Sequence, residues 1–155
     1  MKKIILIFIV LLNACNSKKN SMSSTEIFPK GEPVPTDWFT GNAFLKPLIA
    51  RDKNNEFSAG SVTFEPGART NWHTHPKGQV LLVIEGQGLY QEKGKPAQTI
   101  QKGDVVNIPE NVEHWHGASA TTKMVHVAIT NFKEDTQVTW LNPVTDEEYQ
   151  AANEK

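Results

Sequence analysis

Five histidines carry most of the chemistry this chain could perform. His73-Thr74-His75 is followed four positions later by Gln79, and His114-Trp115-His116 and then His126 come further along. Two imidazoles at i and i+2 of a strand share one face about 7 Å apart and can converge on one divalent ion. A single pair of this kind also arises on surfaces by chance. A second pair, with Gln79 between the two, raises the odds because a closed metal site draws its donors from several strands. A side-chain amide oxygen offers a lone pair as a carboxylate does, but without the charge.

Strand alternation sets which residues accompany these donors. Trp72 and Thr74 fall opposite His73 and His75, and Trp115 falls opposite His114 and His116, so both tryptophans are expected to pack away from any ion. In Met124 to Thr130 one face carries Met124, His126, Ala128 and Thr130, and the other Val125, Val127 and Ile129. The mixed face suits a cavity wall, which makes Met124, Ala128 and Thr130 candidate pocket residues. On its own, His126 reads first as a satisfied core histidine and His116 as a donor to a backbone carbonyl. Arg69 reads as a structural ion-pair residue.

These positions lie in strand-like sequence. Phe57–Phe64, Gln79–Glu85, Asp104–Ile108 and Met124–Thr130 are rich in β-branched and aromatic residues. Glu65-Pro66-Gly67, Glu85-Gly86-Gln87-Gly88, Glu92 to Pro96, Lys102-Gly103-Asp104 and Pro109-Glu110-Asn111 read as the turns between them. No window of a dozen residues has a 3.6-residue apolar period. The acidic tail alone can form a short helix, with Thr145 as N-cap and Glu148 as its capping-box partner. Many short strands imply an all-β sandwich or barrel. The 155 residues suffice for one domain, and 16 basic against 17 acidic side chains give no polybasic surface for nucleic acid.

The N-terminus is expected to be a targeting signal. Lys2 and Lys3 precede an apolar run, Ile4 to Leu12, too short to span a bilayer. Leu12-Asn13-Ala14-Cys15 resembles the lipobox of bacterial lipoproteins, which implies cleavage of residues 1–14 and lipidation of Cys15, the chain's one cysteine. The alternative is an ordinary secretion signal with a free thiol. Residues 15–36, polar and then proline-rich, are expected to tether the domain, with a reach of about 25 Å over some 20 residues. That places the protein in the bacterial cell envelope, on the periplasmic side or the cell surface. Membrane contact would run through the lipid anchor alone.

Gly67-(five residues)-His73-x-His75-(three)-Gln79-(six)-Gly86 resembles the first cupin motif, and Gly103-(five)-Pro109-x-Asn111-(two)-His114 resembles the second. Three positions depart from the usual pattern: Gln79 replaces glutamate, Asn111 replaces glycine, and Ala118 stands where many members have asparagine. Asparagine tolerates the left-handed turn conformation that glycine serves. The runs GARTNWHTHPKGQ and GDVVNIPENVEHWHGASATTKMVHVAI are similar to those of small single-domain bacterial cupins that include manganese-dependent hydroxynitrile lyases.

The resemblance implies a cupin jelly-roll β-barrel over residues 37–143, with 144–155 as a C-terminal tail, and a homodimer. It also implies a divalent metal on His73, His75, Gln79 and His114, with His126 as base and His116 as a second active-site histidine. Manganese is the expected ion; iron, nickel and zinc suit the same donors. Three imidazoles and one amide leave the ion its full double charge, which favours Lewis-acid chemistry on a small substrate's oxygen over redox chemistry. A metal-dependent lyase of hydroxynitrile type is therefore expected. A metal-dependent dioxygenase and a non-catalytic small-ligand binder are the alternatives.

Overall fold

The computed structural model describes residues 26–154, so the leader, the lipobox and Cys15 lie outside the described residues. In chain order the strands are β1 (Glu32–Pro33), β2 (Phe39–Thr40), β3 (Ala43–Ile49), β4 (Phe57–Phe64), β5 (Arg69–Thr70) and β6 (His73–Thr74). They continue with β7 (Gln79–Glu92), β8 (Gln98–Gln101), β9 (Val105–Ile108), β10 (His114–Ala118), β11 (Met124–Asn131) and β12 (Thr139–Trp140), and helix α1 (Asp146–Asn153) closes the chain. All pairings between these strands are antiparallel.

The long strand β7 holds the two sheets together. Its first half pairs with β9 and β11 in a sheet that continues through β4 and β3 to β1. Its second half pairs with β8 and β10 in a sheet that β5, β6, β2 and β12 extend. The curled sheets enclose Phe64, Leu81, Ile108 and Met124, none more than 1% exposed. Side chains of this size each contribute about 1.5–3 kcal/mol when fully buried. This is the all-β cupin jelly roll that the strand pattern and motifs implied.

Glu85-Gly86-Gln87-Gly88, expected to be a turn, lies inside β7. Gly86 has φ 73°, and the β7–β11 register shifts at this point: Val125 faces Glu85, but the next residue, His126, faces Val83. Ile84 is the extra residue of a bulge. A Cβ at Gly86 would sit 1.8 Å from the Lys123 carbonyl oxygen, so glycine here permits a close backbone approach within a continuing strand. Asn111 takes φ 60°, the left-handed turn expected for it.

Regular structure extends to both sides of the expected barrel range within the described residues. Within the stretch expected to be tether, β1 pairs Glu32 with Leu45 and Pro33 with Phe44. In the C-terminal tail, Thr145 and Glu148 form the expected reciprocal capping box, with bonds of 3.1 and 3.0 Å. The helix then buries Tyr149 and Ala152 against Trp72, Leu89 and Trp115, so the tail packs on the sheet face that points away from the histidines. Arg69 fastens it through a 2.6 Å ion pair to Asp146 and by lying over the Tyr149 ring.

Candidate metal centre and pocket

Strand pairing brings the two H-x-H motifs together. His114 of β10 is the register partner of His73 of β6, and their rings lie 4.1 Å apart. His75, just past β6, lies 5.0 Å from His73 and 5.5 Å from His114. Trp72 and Trp115 point the other way and meet edge to face at 6.5 Å beneath α1, as alternation required. Gln79 opens β7 beside Thr130 of β11.

Hydrogen bonds orient each donor. His73 Nδ1 meets the Asn71 carbonyl and His114 Nδ1 the Val112 carbonyl, each at 2.9 Å; His75 Nδ1 meets the Gln137 carbonyl. A carbonyl only accepts, so each Nδ1 holds the proton and each Nε2 keeps its lone pair. Gln79 Nε2 donates to Thr130 Oγ1 at 2.9 Å, which aims Oε1 the other way. His75 Nε2, His114 Nε2 and Gln79 Oε1 are buried with no hydrogen-bond partner. Orphaned buried acceptors are costly and rare. Several gathered in one place, with His73 beside them, fit a divalent ion.

His116 complicates the donor set. One ring nitrogen each of His73, His114 and His116 lies within 4.8 Å of the others, a tight triangle that leaves out His75. The Nδ1 partner separates the cases. His116 Nδ1 lies 3.2 Å from His126 Nε2, an imidazole that can give or take the proton, so the His116 tautomer is not fixed as the others are. His116 Nε2 and His126 Nδ1 remain unpartnered, and Phe64 packs against both rings.

Burial sets the charge of the cluster. It pushes His73 and His116 well below the ordinary imidazole value, lowers His75, and brings His114 to about 4 and His126 to about 3. Neighbouring imidazoles add to the effect at His73, chiefly His114, and at His116, chiefly His126. All five are neutral near pH 7, the state metal ligation requires.

A cavity of about 340 Å³ opens beside the donors, within the range of small-ligand sites. Ala128 and Thr130 line it, together with His73, His75, Gln79, His116 and His126. Met124 does not: it is fully buried in the core beyond the β7 bulge, facing Phe64 and Gly86, which corrects its expected place on the pocket wall. The sequence reading missed Phe39, Leu45, Val138 and Trp140, which supply much of the apolar wall. The last two come from the stretch after β11, where Trp140 belongs to the two-residue strand β12, too short to show a period that reveals its facing.

The cupin domain family matches residues 60–130, which span β4 to β11 and every candidate ligand. The chain is 47% identical over 115 residues to an (R)-mandelonitrile lyase of Granulicella tundricola, covering 74% of this chain and 88% of that protein. It is similar in structure to a cupin-like protein from Thermotoga maritima, with TM-score 0.79 and 48% identity over 83% of this chain and 98% of that one. A shorter stretch of 62 residues is 31% identical to an acireductone dioxygenase of Alcanivorax borkumensis, covering 38% of this chain and 34% of that protein. With this barrel and this histidine cluster, the chain belongs to the cupin family.

Proposed function

We propose that this cupin is a metal-dependent lyase of hydroxynitrile type, with His73, His75, His114 and Gln79 as ligands. The observation that carries the reading is the uncharged donor set: three imidazoles fixed by backbone carbonyls, with His75 Nε2, His114 Nε2 and the amide oxygen of Gln79 buried and unpartnered. The similarity to a mandelonitrile lyase over most of both chains supports it. An ion held there, manganese first among those the donors suit, supplies Lewis acidity to the substrate's oxygen.

The chain's own residues then handle the proton. His126 takes it from the substrate hydroxyl at Nδ1. The carbon–oxygen bond becomes a carbonyl, and the carbon–cyanide bond breaks with its electron pair on cyanide. The His126 Nε2–His116 Nδ1 contact passes a proton along the pair, so that His116 Nε2 can give one to the leaving cyanide. Hydrogen cyanide and an aldehyde result, and the His126 side returns to its neutral state. Phe64 packs against both rings and holds them in place.

The test is mandelonitrile cleavage by protein loaded in turn with manganese, iron, nickel or zinc, against chelator-treated protein. His126→Ala is expected to keep its metal and lose at least about 100-fold in turnover. Unchanged turnover removes His126 as base. Oxygen consumption by the iron-loaded protein, with no cyanohydrin cleavage, would favour the dioxygenase alternative.

A further inference from the structure

Two of the three proposed histidine ligands are oriented from within their own stretch of chain. His73 and His114 each meet a carbonyl two residues back, those of Asn71 and Val112. Such a bond lasts as long as the local backbone does. His75 differs. Its Nδ1 meets the carbonyl of Gln137, 62 residues further along the chain. Whatever places Gln137 therefore decides how His75 is aimed.

Gln137 sits in the connection between β11 and β12. Backbone bonds close a turn before it, Lys133 N to Thr136 O at 2.9 Å and Thr136 N to Lys133 O at 3.0 Å, and pairing resumes after it where Thr139 faces Thr74. At the turn, Arg51 holds the Glu134 carbonyl and the Asp135 carboxylate. The Asp135 side chain is fully exposed, and exposed ion pairs hold weakly. The bond to Gln137 itself comes from the barrel: Ser58 Oγ of β4 donates to Gln137 Oε1 at 2.7 Å. Ser58, Gln137 and Val138 all line the cavity, so the peptide that aims His75 is also part of the cavity wall.

Ser58 stands in a row with a second hydroxyl. It is the register partner of Thr130, and Thr130 is the register partner of Gln79, across β4, β11 and β7. Residues opposite one another on paired strands share a face of the sheet. Thr130 Oγ1 takes the Gln79 amide directly, at 2.9 Å. Ser58 takes the amide of Gln137 and reaches His75 through it. Two neighbouring hydroxyls thus bear on two different donors.

We propose, on the ligand set put forward above, that Ser58 is a positioning residue for the metal centre. Its hydroxyl holds the Gln137 side chain, which keeps the Gln137 carbonyl on His75 Nδ1. The proton stays on Nδ1, and the Nε2 lone pair stays free for an ion. Without that hydroxyl the carbonyl moves off the ring, and the His75 proton divides between Nδ1 and Nε2. His73 and His114 keep their tautomers, because their carbonyls do not depend on Gln137.

The test uses the full chain with ¹⁵N-labelled histidine, wild type against Ser58→Ala, Gln137→Ala and the double variant, with His75→Ala to assign the His75 signals. Long-range ¹H–¹⁵N spectra of metal-free protein at pH 7.5 are expected to show His73, His75 and His114 as Nδ1–H tautomers in the wild type. In Ser58→Ala, His75 alone becomes a mixture, and manganese affinity by chelator competition falls about tenfold or more. Gln137→Ala should give the same two changes, and the double variant no more than either single one, since both cut one link. Ser58→Thr keeps the hydroxyl and should restore both readouts.

An unchanged His75 tautomer in Ser58→Ala, losses that add in the double variant, or an affinity kept in Ser58→Ala but lost in His75→Ala overturns the proposal. The underlying readings fail separately. Affinity kept in His75→Ala as well removes His75 from the ligand set, and the failure then lies in that reading. Absent cyanohydrin cleavage with both readouts as expected removes the lyase assignment alone.

Discussion

Replacing Thr130 with valine deletes one hydroxyl at nearly constant volume and tests how Gln79, the proposed amide ligand, is aimed. Thr130 Oγ1 accepts from Gln79 Nε2 at 2.9 Å, and both residues are only 6% exposed. In the variant that amide N–H is buried without an acceptor, which costs about 1–3 kcal/mol. For a domain of this size each kcal/mol lowers the melting temperature by about 4 °C, so the metal-free protein should melt about 4–12 °C lower. The amide also loses the bond that keeps Oε1 toward the histidines. Partners of this kind orient ligands and are worth about 10–100-fold in metal affinity, or roughly 1.4–2.8 kcal/mol. Calorimetry of the metal-free protein and chelator-competition titration of the metal measure the two effects. Thr130→Ser keeps the hydroxyl and should fall near the wild type on both. A Thr130→Val dissociation constant within twofold of wild type would refute the claim that Thr130 presents Gln79 to the ion.

Gln79→Glu adds a negative charge to the donor set; metal affinity should rise at least about tenfold while cyanohydrin turnover falls about tenfold or more, because the ion's net charge drops by one. Higher turnover in that variant would contradict the Lewis-acid account. The metal-free protein should lose stability on acidification. Burial holds His114 at about 4 and His126 at about 3, whereas the unfolded chain takes up these protons from about pH 6.5. The unfolded state therefore binds more protons below that pH, so stability falls from about pH 6.5 to 4, by on the order of 3 kcal/mol for His114 alone, and returns as pH rises. Urea titrations at pH 7.5, 6 and 5 measure it, and a flat profile contradicts it. Gly86→Ala should cost more than about 3 kcal/mol, since its Cβ meets the Lys123 carbonyl at 1.8 Å; Gly94→Ala, with the same sign of φ and nothing within 4 Å, should cost about 1–2 kcal/mol. Equal costs would show that the bulge can relax.

Much of the site was legible because a strand has a two-residue period. That period alone put His73, His114 and His116 on one side and Trp72 and Trp115 on the other, as the sheets do. The capping box at Thr145 was legible because its donors and acceptors lie three residues apart. The rest depended on contacts distant in sequence. Gly86 looks like a turn glycine until the Lys123 carbonyl shows that it serves a bulge. Met124 shares the parity of His126, but the bulge lies between their partners on β7, and Met124 packs fully buried in the core cluster. The groups that fix the imidazole tautomers are backbone carbonyls of Asn71, Val112 and Gln137, which no side-chain pattern reports.

The most direct test of the metal centre is electron–nuclear double resonance on manganese(II)-loaded protein with ¹⁵N-labelled histidine. The proposed ligand nitrogens are those of His73, His75 and His114, whose Nδ1 atoms meet backbone carbonyls, whereas His116 Nδ1 meets His126. Three directly bound histidine nitrogens are expected in the wild type, three in His116→Ala and two in His75→Ala. Loss of a nitrogen on removing His116, with none lost on removing His75, would contradict the assignment and move the ion to the His73–His114–His116 triangle.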